Sequence, residues 1–450
     1  MPAHPADSTL YQDLFGDPDT ASLFSDAAEL RALLAVEGAL ARVQGALGLI
    51  PRAAAAVIDR AAQDLQIDPA ALAAETGRNG VPVPALLAAL RAQAGAPQHL
   101  VYLHWGATSQ DIVDTGLALR LRQVLDLWQG RLTGVIAALG RLALEHADLP
   151  MAARTYGQVA TPTSFGGLVA SWGRPLLRHR DRLATIRPGV EVVSLSGAAG
   201  TLAGMGPQGP AVRAGLARAL GLRDPGASWH AERDGLAAFA GWMAGLCGSL
   251  GKIGEDLRLL TQSGVAELVI AGAGGSSSMP QKRNPVGPSV LVALAHQSAG
   301  LAGTLQGTLV HGLQRDGAAW FTEWLTLPPL CLATGRSLAL TDDLLRRLTP
   351  DAAAMTRSLA GDGGLIHAEA LTFALQRHLP RPEAAEAVTA LIARVRAGDG
   401  DLVALARARW PELARPDPAL PDPTLPDPTW PSTLGTAPAD ARAFAKAALP

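Results

Sequence analysis

Twenty-nine consecutive residues, 286–314, contain no Asp, Glu, Lys or Arg, and a second uncharged stretch runs over 235–251. The first carries His296, Gln297, Gln306 and His311; the second is Gly-rich and barely long enough to span a bilayer. Both therefore read as helices buried on most faces within a bundle, not as membrane spans. Apolar positions elsewhere repeat at helical spacing. Leu23, Leu30, Leu33, Leu34, Val36, Leu40 and Val43 fall mostly three or four apart, which predicts a helix over 20–48. Further helices are expected at 51–66, 85–94, 111–146, 165–186, 208–220, 231–270, 286–315 and 325–346. Strand-like alternation is scarce, so the expected class is all-α, built on long helices.

Three domains are expected: an N-terminal helical domain (1–110), a central long-helix domain (111–350) and a C-terminal helical domain (351–450). Residues 415–432 read RPDPALPDPTLPDPTWPS, with Pro-Asp-Pro three times. That composition is an extended surface linker without chemistry. Residues 434–449 are expected to return as a final helix or docked tail.

Charge is nearly balanced, at a formal net of −2 with pI near 6.6. No basic stripe or aromatic ladder is present, so nucleic acid is not an expected partner. Cys247 and Cys331 each sit in an apolar stretch, and a reducing cytoplasm is expected. Residues 1–17 lack a basic segment followed by an apolar one, so no secretory signal is read there.

Polar chemistry gathers in a few loops. Residues 275–285 read Gly-Ser-Ser-Ser-Met-Pro-Gln-Lys-Arg-Asn-Pro. Lys282 is one of only three lysines among 38 basic residues. Three hydroxyls, a lysine and an amide in one loop suit a small polyanion and a proton transfer. His104-Trp105-Gly106-Ala107-Thr108-Ser109-Gln110-Asp111 joins an imidazole and two hydroxyls to an expected helix start, itself an anion site. Thr155 and Gln158 in the 154–166 segment are ligand donors. His230 and Arg233 lie three apart and share a face if helical. The chain has no phosphate-binding P-loop, no Gly-x-Ser-x-Gly elbow and no zinc spacing.

Together these loops resemble the fumarase/aspartase superfamily. The 275–285 segment is similar to its signature, with the usual single residue between the Ser pair and Met279. The resemblance extends to 104–111, 154–166 and 196–201. Within the superfamily, the His-Trp-Gly-Ala-Thr-Ser-Gln-Asp run, Trp229-His230 with Arg233-Asp234, and 248–252 resemble the bacterial cycloisomerase branch that acts on 3-carboxy-cis,cis-muconate. The adenylosuccinate lyases are the nearest competitor. Members commonly carry His where this chain has Tyr156. An acid at Gly264 is missing, and a His-Glu-Arg element is reduced to Leu313-Gln314-Arg315.

The resemblance implies a homotetramer with active sites shared between subunits, a small polycarboxylate substrate, and no metal or organic cofactor. It implies Ser276 as the proton carrier, six residues before Lys282, with Lys282 and Asn284 holding the carboxylate that becomes enolate-like. Thr108, Ser109, Thr155 and Gln158 would anchor other carboxylates, and His104, His230, Arg233 and Arg315 would assist binding. Rival expectations are a fumarate-releasing lyase and a member that has lost catalysis.

Overall fold

The computed structural model describes residues 5–414 and 433–449; the Pro-Asp-Pro tract at 415–432 lies outside them. The chain forms two compact units, each drawn from three stretches. Unit 1 comprises Met1–Thr133, Arg178–Gly251 and Val290–Leu340; unit 2 comprises Gly134–Leu177, Lys252–Ser289 and Thr341–Pro450. The expected domain boundaries at 110 and 350 fall where a long helix begins, at Ser109, and where a short strand ends, at Pro350.

The described residues are overwhelmingly helical, as the periodicity predicts. The helices needed below are α1 (Asp26–Ala46), α2 (Arg52–Asp64), α3 (Val83–Ala94), α4 (Ser109–Glu145), α5 (Phe165–Val190), α6 (Gly209–Leu220), α7 (Asp234–Leu260), α8 (Val286–Gly307) and α9 (Gly317–Arg347). Several run through stretches of both units.

In unit 1, α1 starts at Ser25, whose hydroxyl accepts the Ala28 N–H at 3.2 Å. Such a cap satisfies one of the four orphan donors of a helix start. Leu33, Val36, Ala39 and Leu40 are fully buried in one cluster with Ile58 of α2 and Leu86 of α3. Trp128 of α4 stacks with Phe239 and Trp242 of α7 at centroid separations of 6.1–6.4 Å. By length and composition α7 could cross a membrane. In unit 1, however, its Phe239, Met243, Leu246, Cys247 and Leu250 are packed inside protein.

Helix α8 explains its lack of charge. Leu291, Leu294, Ser298, Ala302 and Leu305 recur three or four apart and are buried. The opposite face (Ala293, Ala299, Gly300, Gly303, Thr304) is exposed yet uncharged. Two helix ends differ from expectation. Helix α8 stops at Gly307, and α9 begins at Gly317 because Asp316 accepts the N–H groups of Ala318 and Ala319. Helix α9 then continues through Pro328 and Pro329.

Unit 2 holds the strands that the sequence reading missed. Strands β1 (Pro150–Thr155) and β2 (Gln158–Ser164) form an antiparallel hairpin, and β3 (Leu268–Ile270) pairs with β4 (Leu348–Pro350). The hairpin shows little apolar alternation because β2 is exposed or half-buried over most of its length. Similarly, α7 ends at Leu260, and the last part of the expected 231–270 helix becomes turn and β3. Leu371, Leu375, Val388, Leu391 and Leu402 form a separate apolar cluster near the C-terminus. Residues Ala437–Ala448 form the expected final helix, burying Phe444 against Gly173, where no Cβ would fit.

Candidate functional site

The 104–111 loop and the start of α4 are organised by one buried carboxylate. Asp111 is inaccessible to solvent. Its Oδ1 accepts the Ser196 N–H and the His230 Nε2–H, both at 2.8 Å; its Oδ2 accepts the N–H groups of Gly197 and Thr108, both at 2.9 Å. A buried carboxylate survives only when its lone pairs are met this fully. The result is that two loops distant in sequence, 104–111 and 196–201, are held together.

Arg315 lies over this junction. Its Nε–H donates to Gln110 Oε1 at 2.7 Å, and its Nη2 donates to the Ala198 carbonyl at 3.2 Å and the Thr108 hydroxyl at 3.4 Å. Among the described residues no carboxylate forms an ion pair with it. Thr108 and Ser109, which precede Gln110 in sequence, are half-buried, and Ser109 opens α4. This gathering of an uncompensated guanidinium, two hydroxyls and a helix N-terminus fits a carboxylate.

Gln110 also links Arg315 to the interior. Its Nε2 donates to Asp114 Oδ2 at 3.2 Å and to the His230 carbonyl at 3.0 Å. Asp114 in turn accepts from Arg233 Nη1 at 2.8 Å, and Glu323 accepts from Arg233 Nε and Nη2 at 2.8 and 2.5 Å. Arg233 is completely desolvated at its side chain and stacks on Trp229 at 4.7 Å. Burial alone would weaken its charge, but the two carboxylates hold it firmly protonated. Arg233 and His230 thus lie beneath the loop, engaged with protein carboxylates.

His104 stands at φ +65° and points its Nδ1–H at Glu37 Oε1, 2.6 Å away. Burial draws its pKa down, but the charge and hydrogen bond of Glu37, together with Asp111, outweigh burial and Arg91 and leave it raised.

In unit 2, the 275–285 segment is a closed loop. Gly274 N–H donates to the Asn284 carbonyl at 3.1 Å and Asn284 N–H returns to the Gly274 carbonyl at 2.7 Å. A side chain at Gly274 would strike Val286 Cγ2 at 2.8 Å, which requires glycine at this closure. Asn284 Nδ2 donates to the Gly275 carbonyl at 3.2 Å. The Ser276 hydroxyl is half-buried and accepts the N–H groups of Ser278 and Met279 at 3.4 and 3.2 Å. Lys282 is exposed and has no side-chain hydrogen-bond or ion-pair partner among the described residues.

The second cluster lies at the hairpin tip. Thr155 pairs with Gln158 across a two-residue turn whose centre, Tyr156-Gly157, has φ +53° and +76°. Two positive φ values match the twist of a tight hairpin, a conformation unfavourable for tyrosine. Tyr156, Thr155 and Gln158 all project into solvent. One residue before the tip pair, Arg154 grips the inaccessible Glu267 through two hydrogen bonds at 2.7 and 2.8 Å. Gly264, where the acid is missing, has φ +87°. A cavity of about 640 Å³ also opens in unit 2, lined by Met151, Arg154, Leu168, Lys252, Asp256 and Thr436. Its cations are already matched, Arg154 by Glu267 and Lys252 by Asp256, and neither Ser276 nor Lys282 lines it.

Sequence reading named the loops but not Gln110, Asp111, Asp114 and Glu323 as their supports.

A family model described as Lyase matches residues 18–300. A 3-carboxy-cis,cis-muconate cycloisomerase of Pseudomonas aeruginosa is 42% identical over 371 residues, 81% of this chain and 80% of the relative. The crystal structure of the 3-carboxy-cis,cis-muconate lactonizing enzyme from Pseudomonas putida superposes with a TM-score of 0.88 at 35% identity, over 98% of this chain and 99% of that one. A fumarate lyase from a Mesorhizobium species gives 0.87 at 34% identity, over 96% and 98%. The match over more than half the chain, and the likeness along nearly all of it, make this protein a member of the lyase family, within the fumarase/aspartase superfamily.

Proposed function

We propose that this protein is a cycloisomerase that lactonises 3-carboxy-cis,cis-muconate to a carboxymuconolactone, an intramolecular lyase of the protocatechuate branch of the β-ketoadipate route. The 275–285 loop carries this reading: a serine hydroxyl under two backbone N–H groups, in one loop with a lysine that pairs with no anion among the described residues. The similarity to relatives bearing that name supports it.

One substrate carboxylate forms a C–O bond to a carbon of its own double bond. The adjacent carbon takes a proton from Ser276, and the neighbouring carboxylate passes through an enolate-like form. Ser276 is left as an alkoxide and regains a proton from solvent. A serine reaches that state only where cations and N–H donors stabilise it. Lys282 and Asn284 stabilise the enolate-like group. Thr108, Ser109, Thr155, Gln158 and Arg315 bind the remaining carboxylates, with His104 adding positive charge. His230 and Arg233 act from below by fixing the 104–111 loop. The leaving group of the reverse reaction is a carboxylate, which needs no proton near pH 7, so Tyr156 in place of an imidazole is tolerable. A lyase expelling an amine would suffer from it. Ultraviolet loss of the conjugated diene, measured beside adenylosuccinate cleavage, tests the assignment. Muconate consumption without fumarate release is expected; cleavage of adenylosuccinate alone would overturn it.

The working form is a cytoplasmic homotetramer of three-domain chains, with sites built from residues of different copies. The uncharged exposed face of α8 supports this, since a solvent-facing helix ordinarily carries charge. A Cβ at Gly300 meets no heavy atom of the described residues within 4 Å. Gly300→Arg is therefore expected to leave the monomer folded while shifting light scattering from tetramer to smaller species, with loss of turnover. A tetramer of unchanged mass would refute this use of the α8 face.

A further inference from the structure

We infer that Glu37 is a positioning residue for the reaction, holding His104 as a cation whose free Nε2–H is presented to a substrate carboxylate. The inference rests on the reading that His104 meets the substrate.

Glu37 occupies the middle of α1 and is 1% exposed, on a buried helix face that is mostly apolar. A carboxylate buried there is destabilising unless matched by a donor of opposite charge. Oε1 takes the His104 Nδ1–H at 2.6 Å, and Oε2 is buried without a hydrogen-bond partner among the described residues. His104 is thus the partner that makes the buried acid tolerable. The bond also fixes the ring: Nδ1 is committed to Glu37, and Nε2 has no partner among the described residues. The same pair holds a left-handed backbone at position 104, a conformation uncommon outside glycine. Gln44, on the same helix, donates to the Trp105 carbonyl at 2.7 Å. Helix α1 therefore clamps the loop at two successive residues.

The charged groups acting on His104 come from three elements: Glu37 of α1, Asp111 of α4 and Arg91 of α3. The acids favour the imidazolium, whereas Arg91 and burial oppose it, and the acids prevail. A raised histidine contributes stability that is complete below its ordinary value of 6.5 and lost as pH rises through the folded value. The cation is accordingly retained to higher pH than an unperturbed imidazole would allow.

Glu37→Gln preserves shape and an acceptor for Nδ1–H but removes the charge. Just above the ordinary imidazole value of 6.5 it is expected to raise KM for 3-carboxy-cis,cis-muconate about 10-fold, the effect of one charged hydrogen bond. Its kcat should stay within about 3-fold, the range expected when mainly ground-state binding is lost. The KM deficit should narrow as pH is lowered and the imidazole regains its proton without the acid's help. In His104→Gln the further change Glu37→Gln should add little. Spectra of the full-length protein carrying 13C-labelled histidine, with His104→Gln for assignment, should show His104 titrating at lower pH in Glu37→Gln. Arg91→Gln, at an exposed position, should move the titration the opposite way. An unmoved His104 titration, or a KM deficit equal at every pH, would overturn the inference. If the wild-type protein fails to turn over muconate while the titration still shifts, the proposed function fails and the Glu37–His104 coupling stands.

Discussion

Ser276→Ala is expected to lower kcat on 3-carboxy-cis,cis-muconate by about 10²–10⁴-fold, the range for loss of a positioned proton donor. KM should change little, because the hydroxyl matters in the transition state, whereas Lys282 and the other carboxylate donors bind the ground state as well. The loop should survive the change. Its closure is made by backbone between Gly274 and Asn284, and among the described residues only two long hydrogen bonds, at 3.4 and 3.2 Å, end on the Ser276 hydroxyl. Far-ultraviolet dichroism and the melting profile should therefore match the wild type. Ser277 and Ser278 are exposed, and alanine at either should retain most of the activity. Near-normal turnover by Ser276→Ala, or a comparable loss in Ser277→Ala, would remove the assignment.

Lys282→Met offers a contrast. Among the described residues Lys282 has no anion to release, so the variant loses charge at the site without stranding a buried partner. Both KM and kcat should worsen, since the cation faces a carboxylate whose charge grows during the step.

What the chain's primary structure discloses depends on distance. Helices were legible because their pattern is local: Leu30, Leu33, Val36 and Leu40 state the buried face of α1 within three turns. The loops bearing Ser276, Lys282 and Thr108 were legible because unusual residue types are crowded into a few positions. The hairpin was not, since its strands are short, largely exposed and turn at Tyr156, a residue that does not advertise positive φ. The supporting carboxylates were illegible for another reason. Glu37 meets His104 across 67 positions and Asp111 meets His230 across 119. Nothing local distinguishes such an acid from one on a solvated face. The same consideration reshapes His230 and Arg233. Their spacing suggested an anion clamp, and they do clamp anions, but the anions are Asp111, Asp114 and Glu323.

Arg233→Met should be the most damaging single change to unit 1, at about 3–5 kcal/mol, the usual effect of removing one partner from a buried ion pair. Methionine fills much of the volume but leaves Asp114 and Glu323, each 1% exposed, without their shared cation. Asp114 would retain the Trp320 Nε1–H at 3.1 Å and the Gln110 amide at 3.2 Å; Glu323 would lose both of its close donors. Neutralising the stranded acids tests whether charge or packing is responsible. The triple variant Arg233→Met, Asp114→Asn, Glu323→Gln should recover a substantial part of the loss, because the penalty lies in uncompensated charge. Stability should be read from the first guanidinium transition, since a chain of two units need not unfold in one step. Activity should not recover in parallel. The relay from Arg233 through Asp114 and Gln110 to Arg315 sets where a substrate-facing guanidinium points, and amide replacements leave that relay without its charged anchor. A triple variant as unstable as Arg233→Met would show that methionine's misfit, not stranded charge, is what the interior cannot absorb.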